Sequence, residues 1–81
     1  MSIVSFLREE AFDPNAVEIL AAAFDAAWET VRKSGSPLAG KAQAAATRER
    51  LAKRIIEMGK RGERDHQRLV ADALAYLIGP A

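Results

Sequence analysis

Residues 12–33 read FDPNAVEILAAAFDAAWETVRK, and this stretch decides the fold. Asp13 stands just ahead of Pro14. Its carboxylate can accept hydrogen bonds from the free backbone N–H groups that open a helix. Proline suits the first helical position, where no donor is needed. Phe12 and Val17 are spaced for a hydrophobic staple across that start. Val17, Leu20, Ala21, Phe24, Trp28 and Val31 then recur at helical spacing and make one apolar stripe. Gly35 suits the left-handed position that ends a helix. The spacing therefore predicts a helix over residues 14–33. Its opposite face carries Ile19, Ala22, Ala23 and Ala26. Alanine favours helix on its own account, but small side chains also admit a second helix closely, and propensity does not explain Ile19.

Two further helices follow from the breakers. Ser36 can cap a second one, with Pro37 at its first position, over 37–59; Gly40 weakens the first turn, which is then frayed or separate, with the helix proper starting at about Lys41. Ala44, Thr47, Leu51, Ile55 and Met58 form a stripe that Ala45, Ala52, Ile56 and Gly59 widen to about half the cylinder. So wide an apolar face implies two neighbours. Gly62 suits the end of this helix, and Asp65 caps a third over 66–78, with Leu69, Val70, Ala73, Leu74 and Leu77 facing inward. Gly79-Pro80 ends it. Ile3, Phe6, Leu7 and Glu10 also have helical spacing, but residues 1–12 are too short to be helical alone. They read as a short helix or arm that docks on its own subunit or on another. The expected architecture is all-α: one domain over 1–81, a three-helix bundle with a short N-terminal helix or arm.

The quoted strings carry a resemblance. FDPNAVEILAAAFDAAWETV, RERLAKRIIEMGKRGERD and RLVADALAYL together resemble a family of short, uncharacterised, all-helical alphaproteobacterial proteins of rhizobial type, over nearly the whole chain. The resemblance implies a compact helical fold and brings no activity with it. Members often carry proline after the aspartate of the second run, where this chain has His66. Either residue can open a helix, so the capping argument stands, and a dedicated role for the imidazole is disfavoured.

Composition bounds the chemistry. A chain of 81 residues buries only about 60% of its unfolded surface, or slightly more, so its stability margin is thin. Disulfides, metals and oligomers are the usual supplements. The sequence has no cysteine and one histidine, which excludes disulfides, thiol catalysis and multi-histidine metal sites. Self-association, most simply a homodimer, is the remaining supplement. No cofactor is expected. No apolar run reaches the roughly 18 residues of a membrane span, and no basic segment precedes an apolar stretch at the N-terminus. A cytoplasmic protein without a membrane partner is expected.

No enzyme is expected either, because no nucleophile, base and pocket converge in the pattern. His66 reads as a solvated helix-start residue, and Glu18, Asp25 and Glu29 as a solvated flank of the first helix. Asp25 borders the apolar stripe and could bond a basic residue on the second helix. Phe24, Trp28 and Tyr76 read as core aromatics. Residues 41–68 hold nine basic against four acidic side chains, while residues 1–40 hold three against six. Arg50, Lys53, Arg54 and Arg61 share the polar face of the second helix. That stripe could contact nucleic acid, stay solvated, or pair with the acidic flank. The first functional expectation is a non-enzymatic, self-associating interaction or regulatory protein, its surface drawn from Ile19, Ala22, Ala23, Ala26 and Ile56. The second is a small nucleic-acid-binding module using the basic stripe.

Overall fold

The starts of all three helices and the ends of the first two each mark a backbone group finding a partner outside the regular ladder. A computed structural model describes residues 12–78. The expected arm over 1–12 and the Gly79-Pro80 stop fall outside the described residues, except for Phe12. Helix α1 spans Pro14–Lys33. The Ala16 N–H donates to Asp13 Oδ1 at 2.8 Å, so the cap forms as its sequence implies. At the far end Gly35 adopts φ 72°, where a side chain would be strained.

The segment expected to open a helix at Pro37 does not continue as one. Pro37–Ala39 is a single 3-10 turn, and α2 spans Ala44–Lys60. Gly40 is the reason: its extended backbone (φ −69°, ψ 161°) breaks the run. Its carbonyl then accepts the Ala44 N–H at 2.8 Å and starts the ladder again. Thr47 fastens the two pieces. It is buried, and its Oγ1 donates to the Leu38 carbonyl at 2.7 Å.

At its C-terminus α2 closes with the Schellman pattern. The Glu63 N–H donates to the Met58 carbonyl, and the Gly62 N–H to that of Gly59, both at 3.0 Å. Gly62 takes φ 97° to allow it. Three residues later α3 begins, spanning His66–Ile78. The Arg68 N–H donates to Asp65 Oδ1 at 3.0 Å, as the capping pattern implied.

Each of the three helices packs against the other two. This is the all-α three-helix bundle, with no strand among the described residues. Leu20, Leu51, Ile55 and Leu69 are fully buried at its centre. Each such side chain contributes about 1.5–3 kcal/mol. Ala16, Ala23, Ala27, Ala52 and Ala73 are buried between them. The buried arc of α1 is therefore rotated from the expected stripe. Ala16, Ala23 and Ala27 are covered, while Ala21 and Trp28 are only half-buried. The helix sits in the cleft between two others, so its arc centres on Leu20 and Ala27 rather than on the flank toward α2.

Gly59 sets the approach of α2 to α1. A Cβ there would lie 2.7 Å from Leu20 Cδ1 and 3.2 Å from Phe12 Cζ. Arg64 locks the same corner. Its Nη1 donates to the Gly59 carbonyl at 2.8 Å, and its guanidinium lies 5.6 Å from the centre of the Phe12 ring. Alanine at position 59 should gain about 1 kcal/mol of helix propensity but lose about 1–3 kcal/mol to overpacking in a filled corner. We expect Gly59→Ala to lower the unfolding free energy by about 1 kcal/mol in urea titration. A more stable variant would show that the corner has slack.

Candidate functional site

The basic stripe of α2 faces partly toward α3, and there the two helices are joined by an ion pair. Arg54 donates from Nε to Asp72 Oδ2 at 2.7 Å and from Nη2 to Oδ1 at 3.1 Å. Both side chains are more than two-thirds buried. The guanidinium also lies 5.1 Å from the centre of the Tyr76 ring. Arginine is a permanent cation, and the hydrogen bond to Asp72 raises the Arg54 guanidinium further above its ordinary range.

Tyr76 is 56% exposed, which corrects its reading as a core aromatic. It stands near the end of α3, where its ring rests on Arg54 instead of entering the core. With Lys53, Arg54, Glu57 and Arg61 it lines an open groove of about 280 Å³ between α2 and α3. Three of the four stripe residues thus meet around an aromatic ring that sequence spacing did not place there. Lys53 pairs with Glu49 at 3.0 Å and Arg61 with Glu57 at 3.4 Å, both across one turn of α2. All four of those side chains are at least half exposed, and such pairs are worth about 0.3–0.5 kcal/mol. Arg50 is exposed beside them.

The acidic flank of α1 takes no part. Glu29 pairs with Arg32 on its own helix at 3.4 Å. Glu18 and Asp25 are exposed, and among the described residues no ion pair joins Asp25 to α2, contrary to the expectation. Trp28 receives the cation instead: Arg48 of α2 lies 5.2 Å from its ring centre. The Arg48 Nε–H is buried without a hydrogen-bond acceptor among the described residues.

The second feature is apolar. At the C-terminal ends of α1 and α3, Val31, Leu38, Leu74, Leu77 and Ile78 line a hollow of about 100 Å³ together with Thr30, Ser34 and Ser36. Ile78 is 73% exposed on its rim.

The five residues expected to form a self-association surface do not make one face. Ala23 is fully buried. At about 100° per residue, Ile19, Ala23 and Ala26 share a flank of α1 with Thr30, which meets α3 at the hollow. Ala22 lies on the outer side with Glu18 and Asp25. Ile56 stands one turn before Gly59, on the other seam, where α2 meets α1. Both Ile19 and Ile56 pack partly against the core.

His66 is exposed at the start of α3. Among the described residues no three His, Asp or Glu side chains are grouped to hold a metal ion. No helix among them is long and apolar enough to cross a membrane. Fold and surface together define a small all-α three-helix bundle whose described residues form a cationic groove and an apolar hollow. No protein-family model, curated protein or solved structure matches the chain.

The Arg54–Asp72 pair is a charge-assisted, bidentate link between two helices. We expect Asp72→Asn, which keeps the shape and removes the charge, to lower stability by about 1–2 kcal/mol at neutral pH. The measurement is a paired denaturant titration. An unchanged midpoint would mean that solvent already screens the pair.

Proposed function

We propose that this chain is a non-enzymatic, cytoplasmic helical interaction protein that pairs with a second copy of itself at the hollow end of the bundle. The observation that carries this reading is the knob beside the hole. Ile78 projects from the rim of an apolar hollow whose volume is of the order of one branched side chain. A patch holding both a projection and a recess is self-complementary. Two copies related by a twofold axis each seat the Ile78 of the other, and the contact closes on itself.

The apolar lining supports the reading. Leu74 and Leu77 are only half-buried in the single chain, as is Leu38, so a partner removes further apolar surface from water at about 25 cal/mol per Å². The patch is small. Interfaces below about 1,200 Å² of total buried area belong to weak, transient pairs, so the dimer dissociates in the micromolar range or above. A short chain with a thin stability margin gains from even that association, since binding only the folded state stabilises it.

Sedimentation equilibrium over a concentration series tests the proposal. The wild-type chain is expected to show a monomer–dimer equilibrium between about 10 μM and 1 mM. Ile78→Asp is expected to stay monomeric throughout; its melting temperature should stay close to wild type at concentrations below about 10 μM, where both are monomers, and fall below it where the wild-type chain pairs. A wild-type chain that remains monomeric at about 1 mM would remove the proposal.

A further inference from the structure

We propose that the groove between α2 and α3 binds single-stranded nucleic acid, with a base on the open face of Tyr76 and its flanking phosphates on Lys53 and Arg61. The proposal is independent of the dimer, which uses a different face of α3.

Three observations meet in this groove. The first is the aromatic ring. Tyrosine at 56% exposure is costly surface on a chain whose other aromatic side chains among the described residues are at least half-buried. Its position is fixed from beneath by the Arg54 guanidinium, 5.1 Å from the ring centre. Arg54 is itself tied to Asp72 by two hydrogen bonds. A ring backed by an immobilised cation presents one face to solvent in a set orientation. That is what a stacking platform needs, because every base has a π-face and sequence is immaterial.

The second is the placement of the exposed cations. Lys53 and Arg61 lie two turns apart on α2 and line the groove with Tyr76. At 1.5 Å rise per residue their backbones are about 12 Å apart. Their long side chains can close on the phosphates flanking one stacked nucleotide, since consecutive phosphates of an extended strand are separated by about half that distance or a little more. Arg50, on the same helix, extends the positive edge.

The third is the weakness of their present partners. Glu49 and Glu57 hold Lys53 and Arg61 only through exposed contacts one turn away on α2. Phosphates therefore compete for both cations at small cost. Arg54 is different. Its two bonds to Asp72 spend it on the fold, and it acts by fixing the ring rather than by contacting a phosphate.

The carboxylates also set the character of the site. Glu57 lines the groove and Asp72 touches Arg54, so the local positive surplus is modest. Binding is accordingly weak and strongly dependent on salt. A duplex is disfavoured, because its bases are already stacked and offer the ring nothing.

Titration of the full chain with dT10 and rU10, followed by amide chemical shifts at 20 mM salt, tests the proposal. Shifts are expected at Tyr76, Lys53 and Arg61 with both oligonucleotides. Lys53, Arg61 and Arg50 together give a slope of log affinity against log salt close to −2. Tyr76→Leu should weaken binding about tenfold while leaving the salt slope in place. Lys53→Ala with Arg61→Ala, both exposed and safe for folding, should flatten the slope. The absence of shifts at about 1 mM oligonucleotide would overturn the proposal. So would equal affinity for poly-glutamate of the same length, which carries the charge without the bases.

Discussion

The bundle rests on one constraint: three helices must come close enough to share a core made mostly of small side chains. Among the described residues the large, fully buried hydrophobic side chains are Leu20, Leu51, Ile55 and Leu69. Alanine fills much of the space between them. Dispersion attraction falls away with gaps of less than an ångström, so such a core holds only when the backbones lie near one another. Gly59 and the buried alanines permit that approach. The caps at Asp13 and Asp65 and the turns at Gly35 and Gly62 fix where each helix ends, and so which residues face the shared interior.

The same closeness explains where the polar groups go. Thr47 is deeply buried because its hydroxyl satisfies the Leu38 carbonyl at the break before α2. Arg54 and Asp72 span the α2–α3 seam, where a bidentate ion pair joins the helices with direction as well as contact. Arg48 covers Trp28 on the α1–α2 seam in a comparable way. Long cationic side chains thus seal the edges of a core that has few large residues to spare.

Much of the fold was legible in the sequence because it is written in local signals. Asp13-Pro14, Gly35, Gly62 and Asp65 act within one turn of the helix they begin or end, and each acted as its chemistry implies. What was not legible depends on distance along the chain or on rotation. The α2 start moved to Ala44 because Gly40, read as a weak point, is a full break. Alanine gives periodicity no contrast, so the buried arc of α1 could not be centred, and Ala23 was placed outside when it is inside. The Arg54–Asp72 pair joins positions eighteen residues apart, beyond any spacing rule within one helix. Of the candidate sites, Lys53, Arg54 and Arg61 were readable as a cationic stripe. Tyr76 was not: an aromatic side chain reads first as core, and its place over Arg54, one turn beyond Asp72, depends on which flank of α3 meets α2.

The corner built from Phe12, Gly59 and Arg64 makes the molecule's two poles unequal. There a ring, a backbone carbonyl and a guanidinium tie the beginnings of two helices to the end of the third. The opposite pole holds a hollow and an isoleucine facing solvent. Local opening in small proteins begins where few apolar contacts resist it. Amide protons in the last turn of α3 are therefore expected to exchange with solvent sooner than those of the fully buried Leu20 and Ile55. The more open end is also the one that carries the exposed Ile78.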